Sequence, residues 1–225
     1  MSKYSRIEVF LKIKETGMVP LYYHSDIEIC KKVVKACYDG GALAFEFTNR
    51  GDFAHEVFSE LSKFVKTELP GMAIGVGSVV DPGTASLYIQ LGADFVVSPL
   101  LNPEMAKVCN RRKVLWSPGC GSVSEVNYAE ELGCELVKIF PAGQVGGPEF
   151  VAMVKGPMPW SDLMPSGGVT PDYDNLKAWF KAGATVVGMG SQLIKKEFIT
   201  SENYEGLASK VKDTIALIKK IKSEL

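Results

Sequence analysis

Leu132-Gly133-Cys134-Glu135-Leu136-Val137-Lys138-Ile139-Phe140-Pro141-Ala142 decides how this chain folds, because it reads as a helix end, a glycine that stops it, and a short apolar strand. Glycine enters the left-handed conformation that closes a helix without steric penalty. The same sentence recurs as Asp39-Gly40-Gly41-Ala42, Leu91-Gly92-Ala93-Asp94 and Ala182-Gly183-Ala184-Thr185, each ahead of a short apolar run. Strands are expected at Met18 to Tyr22, Leu43 to Thr48, Ala73 to Gly77, Phe95 to Ser98, Val114 to Ser117, Leu136 to Phe140, Leu163 to Pro165 and Val186 to Met189. Amphipathic helical patterns lie between them, near Asp26 to Asp39, Asp52 to Glu68, Pro82 to Leu91, Pro103 to Asn110, Ser122 to Leu132, Pro148 to Val154, Asp172 to Lys181 and Glu202 to Ser223. Several open on Asp or Ser at a cap position, or on Pro in the first turn. Eight such units after a leading helix near Ser5 to Thr16 predict an α/β fold, a (β/α)₈ TIM barrel over residues 1–225 as one domain, with residues 1–17 as an additional N-terminal helix. An open doubly wound sheet more often uses fewer strands.

With 225 residues, 46% hydrophobic and 23% charged, the chain has the composition of a globular protein with a sizeable core. Lys plus Arg (25) nearly balances Asp plus Glu (26), so no broad field attracts nucleic acid or an anionic membrane. Any anion must be bound locally. Apolar stretches are broken well short of the roughly 20 residues that cross a bilayer, and Met1 to Gly17 lacks a signal peptide's apolar core, so a cytoplasmic location is expected. Cys30, Cys37, Cys109, Cys120 and Cys134 are odd in number and form no C-x-x-C pair, which fits reduced core thiols. His24 and His55 are the only histidines, which argues against a His-rich metal site or a His-based triad; no metal is expected.

Three features break the strand rules at carboxyl ends, where barrels carry their chemistry. In Leu43 to Arg50 the period of two puts Ala44, Glu46 and Thr48 on one face with Arg50, so Glu46 points away from Phe45 and Phe47. It is either a carboxylate in the barrel mouth with a raised pKa or a partner of Arg50. Lys138 lies inside an apolar run, where desolvation favours the neutral amine that attacks a ketone; the alternative is a lysine snorkelling to the rim. Pro165-Ser166-Gly167-Gly168-Val169-Thr170 and Val187-Gly188-Met189-Gly190-Ser191 place two glycine loops where this fold binds phosphate, and a short helix near Ser191 is expected to add its dipole. The alternative is that these glycines serve only tight turns. No G-x-x-x-x-G-K-[ST] is present, so P-loop nucleotide hydrolysis is not suggested.

Phe45-Glu46-Phe47-Thr48-Asn49-Arg50, Gly75-Val76-Gly77-Ser78-Val79, Val97-Ser98-Pro99, Pro118 to Glu125, Val137-Lys138-Ile139-Phe140-Pro141-Ala142, Pro165-Ser166-Gly167-Gly168-Val169 and Gly188-Met189-Gly190-Ser191 stand in a familiar order. From about Met18 to Leu193 the chain resembles the bifunctional 2-keto-3-deoxy-6-phosphogluconate/4-hydroxy-2-oxoglutarate aldolases. The resemblance implies a class I, Schiff-base aldolase, a homotrimeric (β/α)₈ barrel with no metal or organic cofactor. In that reading Lys138 is the Schiff-base lysine and Glu46 the general acid/base. Arg50 and Ser78 hold the pyruvyl carboxylate, and Phe140 is a wall beside the imine. Thr48, Pro99 and Ser166 also touch substrate, and Gly167, Gly168, Gly190 and Ser191 bind the distal phosphate. The implied reaction cleaves 2-dehydro-3-deoxy-6-phosphogluconate to pyruvate and glyceraldehyde 3-phosphate, and 4-hydroxy-2-oxoglutarate to pyruvate and glyoxylate. The partners are therefore small keto acids, with no nucleic acid or membrane.

Three departures from the family pattern stand out. Ser78 and Ser166 replace the usual Thr, Tyr23 replaces an Arg common in the family, and Asn110 to Lys113 adds charge at a helix end, read as solvated or at a subunit contact. Tyr23 keeps open a 2-dehydro-3-deoxy-6-phosphogalactonate aldolase or another pyruvate-dependent aldolase. A non-catalytic phosphosugar-binding barrel is the reading from another class. Lys138, Glu46 and Arg50 together argue against it, since binding alone needs no neutral amine beside an acid/base.

Overall fold

The computed structural model describes residues 2–225. Helix α1 (Arg6–Thr16) opens the fold, held at its start by a reciprocal cap between Ser5 and Glu8 and ended by Gly17 at φ +76°. Alternation then begins: β1 (Met18–Tyr22), α2 (Ile27–Asp39), β2 (Ala44–Thr48), α3 (Ala54–Glu68), β3 (Ala73–Gly77), α4 (Pro82–Gln90), β4 (Phe95–Val97) and α5 (Pro103–Arg112). The second half runs β5 (Leu115–Ser117), β6 (Gly119–Cys120), α6 (Val123–Glu131), β7 (Val137–Ile139), α7 (Gly147–Lys155), β8 (Leu163–Pro165), α8 (Tyr173–Lys181), β9 (Val187–Met189), α9 (Lys196–Thr200) and α10 (Tyr204–Glu224). Asp26, Asp81, Asn102 and Ser122 cap their helices through side-chain oxygens. Gly41, Gly92, Gly133 and Gly183 carry positive φ at the helix-to-strand junctions, where the repeated motif placed them.

All strand pairs are parallel. One sheet has the order β5-β4-β3-β2-β1-β9 and the other β6-β7-β8. Pro118, which has no N–H to give a ladder, separates β5 from β6, and a bridge between Ser166 and Gly188 joins β8 to β9. The two sheets thus meet at both ends, and the fold is the expected (β/α)₈ barrel. One cap differs from the sequence reading: α3 begins at Ala54, behind Phe53 at φ +57°, with no side-chain cap, rather than at Asp52. The left-handed residues Gly51 and Phe53 turn the chain out of the barrel mouth before the helix can start.

Two apolar layers form. Inside the barrel lie Val19, Ala44, Ala73, Phe95, Val97, Leu115, Leu136, Met164 and Val186, closed from below by Val9 and Ile13 of α1. Between strands and helices lie Phe45, Phe47, Phe58, Tyr88, Trp179 and Val211 among others. The added helix is therefore a plug for the end of the barrel opposite the carboxyl-terminal mouth. Gly75 lets the inner layer close, because a Cβ there would overlap the Phe95 ring. We expect Gly75→Ala to lower stability by about 1–3 kcal/mol through overpacking, seen as a reduced thermal midpoint. An unchanged midpoint would mean that the Phe95 ring is free to move aside.

The five cysteines are buried and free. Burial pushes the thiols up, Cys30 to about 11 and Cys109 and Cys120 to about 12, as suits inert core residues. Arg111, Arg112 and Lys113 are exposed on the chain, while Asn110 is tied to Leu132 and Arg6. No helix among the described residues is long and apolar enough to cross a membrane.

Candidate active site

Alternation along β2 does the first positioning. Phe47 packs outward on Phe58 with ring centroids 5.7 Å apart, and Phe58 on Tyr88 at 5.0 Å, which leaves Glu46 facing inward. Glu46 is only 2% exposed. Across the register from β2, Gly77 has no side chain, and a Cβ there would collide with the Glu46 carboxylate. On β7, Val137 and Ile139 join the outer layer and Lys138 turns inward, 6% exposed. Its ammonium lies 4.9 Å from the centroid of the Phe140 ring and makes no hydrogen bond or ion pair among the described residues. Lys138 is a buried residue of the barrel interior, not a snorkelling one.

Burial drives the Glu46 carboxyl above its ordinary range, against the opposing pull of Lys138 and, more weakly, Arg50. Glu46 forms no ion pair with Arg50. The guanidinium is exposed, and its Nε donates instead to the Ser78 hydroxyl at 3.3 Å. Ser78 is held for this at φ +59°, a conformation unfavourable for a residue with a side chain. Pro99, half-buried after β4, backs onto Gly119, where a Cβ would meet the Pro99 carbonyl. Gly119 is the register partner of Lys138.

Above this floor opens a cavity of about 440 Å³. Of the residues expected from sequence, Thr48, Arg50, Phe140, Ser166, Gly167, Gly168, Gly190 and Ser191 line it. Lys138, Glu46, Ser78 and Pro99 lie outside its lining, the first two buried in the barrel interior. Leu21, Tyr22, Tyr23, Val169, Gly188, Gln192 and Ile194 also line the cavity and were not assigned to the site from sequence. For Leu21 the signal was present, since the inward face of β1 continues from Val19 to it; the Tyr23 ring, beyond the strand end, packs on Phe47 instead.

The two glycine loops share one wall. Gly167 and Gly168 have φ of +87° and +86°; the bridge between Ser166 and Gly188 occupies the Gly167 amide, and the amides of Gly168, Val169, Ser191 and Gln192 have no acceptor among the described residues. Unpaired N–H groups converging on a cavity form an anion-binding nest. The helix expected at Ser191 is absent. Leu193 and Ile194 donate to the Gly190 carbonyl in a single turn, Lys195 is extended, and α9 starts only at Lys196. Amides rather than a helix terminus face the cavity there.

The site thus unites a buried amine, a carboxyl with a raised pKa, an exposed guanidinium and a nest of amides. Chemically, such groups can serve as a nucleophile, a proton carrier and sites for two anionic groups.

The family model for KDPG and KHG aldolase matches residues 9–209. The 2-dehydro-3-deoxy-phosphogluconate aldolase of Haemophilus influenzae is 26% identical, over 96% of this chain and 99% of its own. The KHG/KDPG aldolase of Escherichia coli K12 is also 26% identical, over 90% and 93% of the two chains. Among solved structures, the KDPG aldolase of Legionella pneumophila, with pyruvate captured as a covalent carbinolamine, shares the fold at a TM-score of 0.82 and 23% identity, over 92% of this chain and 97% of that one.

Proposed function

This chain belongs to the KDPG and KHG aldolase family, and from that premise we propose that it is a class I, metal-independent lyase that cleaves 2-dehydro-3-deoxy-6-phosphogluconate to pyruvate and glyceraldehyde 3-phosphate. The observation that carries this reading is Lys138 buried in the barrel interior with a carboxyl of raised pKa, Glu46, on the same inner face. The carbinolamine of the Legionella relative supports the same chemistry.

The Lys138 amine adds to the C2 ketone. Glu46, as the acid, gives a proton to the carbinolamine hydroxyl, which leaves as water, and an iminium remains. The Glu46 carboxylate then takes the proton of the C4 hydroxyl. The C3–C4 bond breaks, its electron pair moves into the iminium to give an enamine, and the C4 fragment leaves as an aldehyde. Protonation at C3 and hydrolysis of the imine release pyruvate and free Lys138. Arg50, steadied by Ser78, holds the carboxylate of the pyruvyl half, Phe140 covers the imine, and Thr48, Pro99 and Ser166 complete the substrate walls. Because the protonated imine is itself the electron sink, no metal or organic cofactor is required.

The amides of Gly168, Ser191 and Gln192, in the loops that carry Gly167 and Gly190, take the distal phosphate. 4-Hydroxy-2-oxoglutarate, which lacks it, is the second substrate. At Gly190 a Cβ would lie 2.8 Å from Leu21 Cδ1, so a branched side chain must invade the cavity. With EDTA present throughout, the wild-type protein is expected to retain full cleavage activity. Gly190→Val should lower kcat/KM for the phosphorylated acid by roughly 10²-fold and for 4-hydroxy-2-oxoglutarate far less. Loss of turnover in EDTA restored by a divalent ion, or equal losses on both substrates with the fold intact, would sink this reading.

Tyr23 in the cavity wall favours carrying the 6-phosphogalactonate-derived epimer as a second substrate in the same assay. The resemblance further supports one domain over residues 1–225, a homotrimer and a cytoplasmic location. Val80 and Leu100, exposed after β3 and β4, offer apolar surface for the subunit contact.

A further inference from the structure

We propose that Tyr23 is a specificity-determining residue, whose hydroxyl bonds to the hydroxyl on the carbon adjacent to the aldehyde carbon in the aldehyde half of the substrate. The inference rests on the aldolase reading and extends it to one contact with the aldehyde half of the substrate.

Position comes first. β1 lies between β9 and β2, so Tyr23, just beyond the end of β1, stands between the amides that follow β9 and the Arg50 that follows β2. A substrate spanning those two anion sites must carry its middle carbons past this wall.

Rigidity is the second point. The Tyr23 ring meets the edge of Phe47 at 5.5 Å and 70°, and Phe47 is backed by Phe58, which in turn meets Tyr88. Its hydroxyl has no hydrogen-bond partner among the described residues, although the residue is half-buried. Space for that hydroxyl is kept by Gly51 at φ +106°, where a Cβ would sit 2.7 Å from Tyr23 Oη. A fixed, unpartnered phenol in a cavity wall is an available donor and acceptor.

Chemistry is the third. Arg50 is the one cation among the described residues lining this cavity, and Tyr23 adds no charge. An uncharged phenol suits an uncharged hydroxyl, and a site built to bond a hydroxyl disfavours an analogue that lacks it.

The test runs in the condensation direction, with pyruvate and three aldehydes: D-glyceraldehyde, glyceraldehyde 3-phosphate and glyoxylate, the last having no neighbouring hydroxyl. Tyr23→Phe keeps the ring. It should lower kcat/KM for both glyceraldehydes by about fivefold relative to glyoxylate, the scale of one neutral hydrogen bond. Equal effects on all three aldehydes, or a loss confined to the phosphorylated one, would overturn the assignment. Borohydride trapping of pyruvate on the wild-type and Tyr23→Phe proteins separates the two levels of inference. Without a trapped adduct on the wild-type protein, the aldolase reading falls. With one, and an unchanged ratio, only the role of Tyr23 falls.

Discussion

Replacing Lys138 with methionine is expected to reduce the cleavage rate by about 10⁴-fold or more while the barrel still folds, because removing a covalent nucleophile removes the pathway rather than trimming it. The choice of methionine matters. Lys138 is 6% exposed, among strands whose inward residues are Leu136, Met164 and Phe95, so a shorter residue would leave a cavity and confuse loss of chemistry with loss of packing. Methionine keeps all but the last atom of the side chain's length and removes the amine. Wild-type protein incubated with pyruvate and borohydride should lose activity and carry one reduced pyruvyl group, at Lys138. The methionine variant should carry none. A label on any other lysine, or substantial turnover by the variant, would remove the core of the mechanism.

Lys138 was legible in the sequence because a charge inside an apolar strand conflicts with its surroundings, and conflicts of that kind are local. Glu46 was legible for the same reason, set between two phenylalanines whose outward packing the period of two already required. The helix-glycine-strand junctions revealed the barrel because glycine answers a backbone demand that can be read one residue at a time. What escaped notice depends on distant residues. Nothing around Gly51 in sequence announces that it makes room for the Tyr23 hydroxyl, 28 positions away. The left-handed conformations of Phe53 and Ser78 are imposed by loops leaving the barrel, and no propensity of Phe or Ser indicates them. The single turn closed by the Gly190 carbonyl looked like a helix start, because a glycine followed by a serine is common to both. Arg50 illustrates the same limit: sequence offered Glu46 as its partner, and the fold gave it Ser78.

Glu46→Gln is expected to cut kcat by about 10³-fold, within the span that a positioned general acid/base contributes. It should do so without destabilising the protein. Glu46 is buried, and burial outweighs the attraction of Lys138 and Arg50, so its carboxyl stays protonated to higher pH in the folded chain than in the unfolded one. The folded state therefore binds the proton more tightly. Stability contributed by the neutral acid is fully present below the unfolded pKa and is lost as pH rises through the folded value. At neutral pH the wild-type protein bears the burden of a buried carboxylate that glutamine, neutral at every pH, does not carry. The variant should thus melt at the same temperature or higher near neutrality, and the difference should shrink in acid. Activity has the opposite dependence in the wild type. Taking the C4 proton requires the carboxylate, so the rate should fall as pH drops through the raised pKa, with an acid limb above the ordinary carboxylate value of 4.5. In the glutamine variant that limb should vanish from the residual rate. Retention of the acid limb would assign it to another group. A glutamine variant with near wild-type turnover would deprive Glu46 of its catalytic role, and a large drop in its melting temperature would show that the carboxylate is a structural partner instead.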